Sequence, residues 1–173
     1  MGGKAHNGRR INRAEAESLF AQIVPQLGAY DRIELCGSYR RGKTDMGDLD
    51  IVIVPTNVVR HTTAGPRNLF DSLEQLFNTP DISDTRANVR GLIDGVQVEF
   101  YLCNVDNWGS NVQMWTGSML HNIRLRARAK KLGFSLSQNG ARSLNNPLWV
   151  TQFATEESVY DFLGLDWVAP EDR

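Results

Sequence analysis

Residues 32–55 of the chain read RIELCGSYRRGKTDMGDLDIVIVP, and this stretch decides the fold. Residues 48–54 (DLDIVIV) are the most strand-like segment of the sequence, and Pro55 closes it. Residues 32–36 (RIELC) predict another strand, and the segment between the two is rich in turn-forming residues. We therefore expect two strands joined by a turn-rich connection.

The flanking segments predict helices and a hairpin. Asn12 and Glu15 have the spacing of a capping box, and apolar residues at helical spacing follow them. Residues 55–67 read as a loop, and residues 69–77 as a short amphipathic helix that ends before the next proline. The Asp-Gly pair at 94–95 is a hairpin signal between two strand-like runs. The pattern indicates a mixed sheet with helices packed against it.

The composition changes after about residue 104. Residues 106–118 are rich in Gly, Asn, Ser and Trp, and a basic helix is predicted over 119–132. Two strand-like pieces then flank an Asn-Gly turn, and a last helix begins after Thr155 and ends at Gly164. We predict an α+β chain made of a basic flexible tail (1–10), a sheet domain (11–104) and a small α+β C-terminal domain (105–173).

The composition bounds the class of protein. The 173 residues are 41% hydrophobic and 23% charged, which is typical of a globular chain with a real core. The sequence has no apolar run of about 18 residues and no signal-peptide pattern, so we expect no membrane association and a cytoplasmic protein. Cys36 and Cys103 lack CxxC spacing and predict buried thiols rather than zinc ligands or a disulfide. The net charge of −1 still allows a local nucleic-acid surface.

Asp48 and Asp50 are two residues apart on the predicted strand, so both carboxylates project from one face. Two carboxylates this close repel each other unless a cation lies between them, and oxygen ligands suit Mg²⁺. An acidic strand end that is merely solvated is the alternative. Glu99, on the second hairpin strand, is the candidate for a third acid, although the face formed by residues 97, 99 and 101 could instead face solvent.

Phosphate-binding groups lie beside this acidic pair in the sequence. Gly37 and Ser38 follow the first strand, and Arg40 and Arg41 come directly after them. Backbone N–H groups, a hydroxyl and guanidinium groups are what a triphosphate requires, and Gly47 allows a close approach of the backbone. This combination points to nucleotide binding next to a metal site.

The basic helix is a candidate nucleic-acid surface. It has no acidic residue between positions 119 and 131, and it carries five cations: Arg124, Arg126, Arg128, Lys130 and Lys131. A row of charges is often only a solvated helix face. Beside a nucleotide site, contact with a DNA backbone becomes the better interpretation.

These motifs together resemble those of the X family of DNA polymerases. GSYRRG at 37–42 followed by GDLD at 47–50 is similar to the family signature GSxRRG…GDxD. WTGS at 115–118 resembles the family's aromatic-TGS motif. Asn122, the Arg-Ala pair at 126–127 and the Gly-Phe pair at 133–134 resemble its continuation. The resemblance runs from about residue 10 to the end, and it implies a nucleotidyltransferase palm followed by a nucleotide-selecting domain.

The resemblance also implies roles for individual residues. Asp48, Asp50 and Glu99 would bind two Mg²⁺ ions, with Mn²⁺ as a substitute. The phosphates of the incoming dNTP would be bound by Gly37, Ser38, Arg41 and Gly47, and Arg10 would also reach them. Its sugar would lie against Trp115, Thr116 and Gly117. Its base would contact Asn122. Arg126 would contact the template strand.

The sequence departs from the family at three positions. Glu99 replaces an Asp and lengthens the side chain by one methylene. The pair at 114–115, Met-Trp, replaces Tyr-Phe, and Tyr101 replaces an Arg near the metal-binding acids. We expect a template-directed DNA polymerase that fills short gaps in DNA repair, acting on gapped or primer-template DNA as a monomer. A template-independent nucleotidyltransferase that tails RNA or DNA, and a catalytically weakened DNA-binding relative, remain alternatives.

Overall fold

The computed structural model describes residues 8–56, 60–62, 65–79 and 87–173. The helices are α1 (Arg13–Ile23), α2 (Gly37–Arg40), α3 (Leu69–Phe77), α4 (Trp108–Thr116), α5 (Met119–Lys131) and α6 (Glu156–Leu163). The strands are β1 (Ile11–Asn12), β2 (Tyr30–Leu35), β3 (Asp45–Met46), β4 (Asp48–Pro55), β5 (Arg60–Thr62), β6 (Gly65–Arg67), β7 (Asn88–Ile93), β8 (Val96–Leu102), β9 (Phe134–Ser137), β10 (Gly140–Ser143) and β11 (Val150–Thr151). Within these ranges, no helix has the length and apolarity needed to cross a membrane.

The central sheet has four strands in the order β2-β4-β8-β7. β4 and β8 pair in parallel, whereas β2 with β4 and β7 with β8 pair antiparallel. The sheet is therefore mixed, and the α+β fold class predicted from the sequence is confirmed. The parallel pairing places Glu99 directly opposite Asp50, so side chains far apart in sequence share one face of the sheet.

The main core lies between one face of this sheet and helices α1 and α3. β4 contributes the alternate residues Leu49, Ile51 and Ile53 to this core, and β8 contributes Val98 and Phe100. Because side chains alternate along a strand, the residues between them project from the opposite face. Asp48, Asp50 and Glu99 belong to that second face.

A smaller apolar cluster covers part of the second face. It joins Cys36 at the end of β2, Val52 of β4 and Tyr101 of β8 to Val112 of α4, and we call it the shared cluster. Trp115, which is partly buried, packs against the same residues. Helix α4 is therefore attached to the sheet through apolar contacts immediately beside the acidic residues.

The C-terminal elements enclose a core of their own. Helices α5 and α6 pack with the three-stranded antiparallel sheet β11-β10-β9 around a buried cluster. Its members are Leu125, Ala129, Leu136, Ala141, Phe153, Val159, Tyr160 and Leu163. In α5, the residues that enter this core recur every four positions, so the polar residues between them face outward.

Local sequence signals located several elements correctly. The Asn12–Glu15 capping box is present, with both reciprocal hydrogen bonds formed. The hairpin signal at 94–95 is confirmed, since both residues have positive φ angles of 51° and 76° between paired strands. Thr155 caps α6, and Gly164 ends it in the left-handed conformation.

Two segments differ from the sequence prediction, and a third contains a helix where no element was predicted. The turn-rich connection after β2 contains the single-turn helix α2 and the short strand β3. The predicted loop 55–67 contains the strands β5 and β6, which pair with each other. Local composition alone does not predict that pairing. Residues 106–118, noted only for their composition, contain α4. Short elements of this kind are stabilised by tertiary packing rather than by propensity.

The predicted tail and the predicted end of α3 are only partly described. Residues 1–7 and Pro80 lie outside the described residues. The last residues of the predicted tail contact the fold, because the Arg9 amide donates to the Gly95 carbonyl at 2.7 Å and its guanidinium pairs with Glu15.

Candidate active site

The two aspartates begin β4 at the edge of the shared cluster. Asp48 and Asp50 project from one face of the strand, and the parallel partner strand β8 presents Gln97 and Glu99 at the same two levels. Both aspartates are partly exposed, whereas Glu99 is only 1% exposed. The alternative in which residues 97, 99 and 101 face solvent is wrong, because all three are buried. Tyr101 packs against Val112 of α4.

A hydrogen bond from a neighbouring strand holds the Glu99 carboxylate. The side-chain amide of Asn88 on β7 donates to Glu99 Oε1 at 2.6 Å. Sequence reasoning missed Asn88, although the alternation of β7 places it on the acidic face once the strand pairing is known. The bond compensates for burial of the carboxylate, which costs free energy when it is not hydrogen-bonded.

The three predicted metal-binding acids do not form a ready-made cage. In the part of the chain that the structure describes, no group of three or more His, Cys, Asp or Glu side chains is arranged to hold a metal ion. The Asn88 amide donates to Glu99, and the Tyr101 hydroxyl donates to Asp50. The donor chemistry fits Mg²⁺ all the same, since the carboxylate oxygens of Asp48 and Asp50 share one rigid strand face.

The glycine of the first motif makes room for one of these acids. Gly37 has a φ of +57°, and a Cβ atom there would lie 2.1 Å from Asp50 Oδ2. The amide of Cys36 donates to the backbone carbonyl of Asp50 at 2.7 Å, which ties the start of α2 to β4. Only glycine allows the chain to pass this close to the carboxylate.

Tyr101 is a second residue that contacts these acids. Its hydroxyl donates to Asp50 Oδ1 at 3.0 Å and also lies within hydrogen-bonding reach of Glu99. Burial, together with the charges of these two carboxylates, raises the pKa of Tyr101. The phenol therefore stays protonated and remains a donor. The other face of its ring stacks on Trp115, with ring centroids 3.6 Å apart.

Arg41 lies between the aspartates and the end of α4. Its guanidinium donates to the Thr116 carbonyl and lies against Gly117, so it reaches two residues of the predicted sugar pocket. Burial lowers the pKa of Arg41, and the nearby charges of Asp50 and Asp48 oppose that effect. Arg41 is thus a half-buried cation next to the acidic pair, as an anion-binding role requires.

A buried ion cluster lies behind this site and links α2 to α6. Arg40 forms a bidentate pair with Glu156, and Arg173 binds the same carboxylate at 2.6 Å. Arg40 also donates to Thr116 Oγ1 at 2.9 Å. Burial alone would raise the pKa of Glu156, but hydrogen bonds from Arg173 and Arg40 lower it below its ordinary value. The sequence predicted the start of a helix at this point but not the contact of Glu156 with two arginines.

The other predicted nucleotide-binding residues belong to several different elements. Ser38 is half-buried in α2, and Gly47 is buried just before β4. Asn122 accepts from Gln113 and donates to the Met114 carbonyl at 2.7 Å, so its amide joins α5 to α4. Arg10 forms an exposed ion pair with Asp45 at 2.6 Å, on the strand just before Gly47.

The five cations of α5 do not share one face. Arg126 and Lys130 border a cavity beside β9, whereas Arg124 and Arg128 border another beside the end of α6. Arg128 Nε donates to the Leu163 carbonyl at 2.8 Å, so this predicted DNA-binding residue also has a structural contact. Lys131 is exposed at the last turn. The helix presents cations on two sides of its buried stripe.

Family models match the two halves of the chain separately. The model of the DNA polymerase beta palm matches residues 10–101, and that of the DNA polymerase beta thumb matches residues 111–173. The chain belongs to the DNA polymerase X family. This membership confirms the resemblance found in the sequence motifs. Homologues in this X family use divalent metal ions in their reaction.

Individual relatives of this X-family chain are named DNA polymerases. DNA polymerase lambda of Arabidopsis thaliana is 28% identical over 193 residues, covering 95% of this chain and 36% of the relative. DNA polymerase lambda of Rattus norvegicus is 30% identical over 196 residues, covering 95% of this chain and 33% of the relative. The DNA polymerase/3'-5' exonuclease PolX of Bacillus subtilis (strain 168) is 28% identical over 141 residues, covering 79% of this chain and 23% of the relative. The chain spans about a quarter to a third of the length of these relatives.

Proposed function

We propose that the chain is a template-directed DNA polymerase that adds dNMP to a primer 3′-hydroxyl and fills short gaps during DNA repair, acting as a monomer. The observation that carries this proposal is the placement of Asp48, Asp50 and Glu99 on register-paired strands, with Arg41 beside them. Family membership supports it, since the relatives are named DNA polymerases.

In the proposed mechanism, the protein supplies binding and orientation rather than a nucleophile. Divalent ions bound by Asp48, Asp50 and Glu99 would lower the pKa of the primer hydroxyl and stabilise charge on the leaving oxygen. Arg41 and Ser38 bind the triphosphate and offset the negative charge that develops on pyrophosphate. Trp115 and Gly117 line the pocket for the sugar. The cations of α5 bind the DNA backbone.

Asn88 and Tyr101 are positioning residues in this proposal. Asn88 orients the longer Glu99 side chain through its 2.6 Å hydrogen bond. Tyr101 donates to Asp50 and takes the position of the arginine that the family motif carries. Both contacts hold the acids in defined orientations before substrate arrives.

One observation favours a second candidate, a DNA-binding relative with weakened chemistry. The described residues form no three-acid metal site, and Glu99 is already engaged by Asn88. The two candidates predict different results for the same protein. The polymerase extends primers with Mg²⁺ or Mn²⁺, whereas the weakened relative binds the same DNA without extending it.

The test is extension of a labelled primer, supplied either in a gapped duplex or as a single strand, with each dNTP or rNTP in turn. Template-dictated incorporation supports the proposed polymerase, and extension indifferent to the template supports a tailing enzyme. Asp50→Asn should abolish extension and leave DNA binding measurable. Asp31→Asn, an exposed acid on β2, is the matched control and should extend normally. Retained extension by Asp50→Asn would overturn the metal-site assignment.

A further inference from the structure

A cavity of about 310 Å³ lies between α5 and the β9–β10 hairpin. It is lined by Arg126, Lys130, Phe134, Ser135, Leu136 and Leu144. Its volume falls at the lower end of the roughly 300–1,000 Å³ that small-molecule sites occupy. We call it the α5–β9 cavity, and neither the aspartates nor Arg41 line it.

The walls of the α5–β9 cavity differ in chemistry. Arg126 and Lys130, four residues apart on α5, form a cationic wall, and none of the lining residues is acidic. Phe134 and Leu144 form an apolar wall. The Phe134 ring is fixed edge-on between Phe162 at 4.9 Å and Trp149 at 5.8 Å, and Leu144 stays 52% exposed. A flat apolar group with an attached anion fits both walls.

The α5–β9 cavity continues toward the proposed nucleotide site. A narrow crevice shares Arg126 and Leu136 with it and extends to Asn122 and Met114. Asn122, Arg126 and Lys130 recur every four residues, so they span about 12 Å along α5. That distance corresponds to about three nucleotides of a strand that keeps the stacked spacing of a duplex, about 3.4 Å per step. A strand that passes Asn122 can therefore reach the cavity without leaving the helix.

We propose that the α5–β9 cavity binds an unpaired nucleotide of a single-stranded nucleic acid. The base packs against Phe134 and Leu144, and the flanking phosphates bind Arg126 and Lys130. Charge complementarity selects this occupant, because α5 has no acidic residue from 119 to 131 in a chain whose net charge is −1. Apolar and aromatic stacking tolerates any base. This proposal rests on the proposed function, because the strand that it places in the cavity is the single-stranded template ahead of the polymerase site.

The experiment measures binding of recessed primer–template duplexes with template overhangs of zero to six nucleotides, in the absence of metal and dNTP. The affinity of the wild-type protein should rise as the overhang reaches the cavity. Stacking of one base is expected to tighten binding by about 5- to 150-fold. An overhang with abasic sites should lose that gain while keeping its phosphates. This affinity gain does not require primer extension. A protein that failed to extend primers could still show the gain, so the result distinguishes a failure of this proposal from a failure of the proposed function.

Two exposed leucines provide a matched pair of variants. Leu144→Glu places a carboxylate in the cavity and should remove most of the overhang gain. Leu148→Glu makes the same change at a 94% exposed position that does not line the cavity, and should keep the gain. Leu144→Ser, which adds no charge, should reduce the gain and shows that loss of the apolar wall is sufficient. Circular dichroism confirms that each variant is folded.

Variants of two neighbouring lysines distinguish binding in the cavity from general electrostatic attraction to DNA. Lys130→Gln should reduce the overhang gain, whereas Lys131→Gln should weaken blunt and overhanging duplexes equally. The proposal is overturned if the overhang adds no affinity, or if Leu144→Glu keeps the full gain. It is also overturned if an acidic, aromatic peptide competes with the overhang more strongly than a single-stranded oligonucleotide of the same length, since the cavity would then be a peptide site.

Discussion

The indole of Trp115 stacks on the phenol of Tyr101, with ring planes only 11° from parallel and centroids 3.6 Å apart. Tyr101 belongs to β8 and donates to Asp50, whereas Trp115 lies in the last turn of α4. Because the rings are in van der Waals contact, a displacement of α4 changes the surroundings of the hydroxyl that binds a predicted metal ligand. The stack therefore links the position of α4 to the hydrogen bond that Tyr101 donates to Asp50.

Tyr101→Phe keeps the stack and removes the hydroxyl. A hydrogen bond to a charged group contributes about 1.5–3 kcal/mol, so we expect a loss of that size in the free energy of unfolding without metal. The variant should also need a higher Mg²⁺ concentration for half-maximal extension, since Asp50 loses the contact that orients it. Denaturant titration and metal-dependent extension provide the two measurements.

Tyr39→Phe is the control for this change. Its hydroxyl donates to the exposed Glu17 at 3.0 Å, so its loss should cost less than about 1 kcal/mol. Equal losses in the two variants would show that the Tyr101 contact contributes nothing beyond a surface bond.

Gly37→Ala tests the close approach between α2 and β4. The added methyl would meet Asp50 Oδ2 at 2.1 Å, at a φ of +57° that disfavours side chains. We expect primer extension to be lost and the protein to be destabilised by several kcal/mol. Gly133→Ala also has a positive φ of +84° but has no atom within 4 Å of the added carbon, so it should cost only about 1–2 kcal/mol. Comparable losses at the two glycines would argue against the steric explanation.

Glu156→Gln removes the buried charge that two arginines share. The side chains of Glu156 and Arg173 are 5% and 0% exposed, and an uncompensated buried charge costs about 3–5 kcal/mol. Chemical denaturation at neutral pH measures this loss. Glu157→Gln, an exposed neighbour in the same helical turn, should change stability by less than about 0.5 kcal/mol.

The contribution of Glu156 should also depend on pH. Its folded pKa lies below the ordinary value of 4.5, so its stabilisation is present above pH 4.5 and disappears as the pH falls through the folded pKa. The difference in unfolding free energy between the wild type and Glu156→Gln should therefore shrink in acid. A difference that stays constant down to pH 3 would contradict the ion-pair interpretation.

Arg124 and Arg128 lie one turn apart on α5 and should behave differently. Arg124→Ala should lower the salt dependence of DNA binding by about 0.9 in the log–log slope if it contacts one phosphate, with stability unchanged. Arg128→Ala should also cost about 0.5–1.5 kcal/mol of stability, because its hydrogen bond to Leu163 is lost. Fluorescence anisotropy at several salt concentrations and thermal unfolding distinguish the two. A stable Arg128→Ala would show that the Leu163 contact is incidental.

Local signals predicted the elements that local physics determines. The capping box at Asn12, the strand at 48–54 and the positive φ angles at 94–95 depend on residues close in sequence, and each is confirmed. The shared face of Asp48 and Asp50 follows from the two-residue period of a strand. Family membership was also readable, because its motifs are short and occur in a fixed order.

Contacts between distant segments were not predictable in the same way. The bond from Asn88 to Glu99 requires the pairing of β7 with β8, and the stack of Tyr101 on Trp115 requires the packing of α4 on the sheet. The Glu156 cluster joins residues 116 positions apart. Such contacts depend on the assembled fold, and one sequence contains no direct signal for them.

The shared cluster has a practical consequence for dissecting the protein. Cys36, Val52 and Tyr101 come from the sheet, but the side chains that shield them from water come from α4. Cutting the chain at residue 104 would leave an exposed hydrophobic patch on the first fragment, directly beside the acidic residues. We expect that fragment to aggregate when expressed by itself, and co-expression with the remaining piece to restore its solubility.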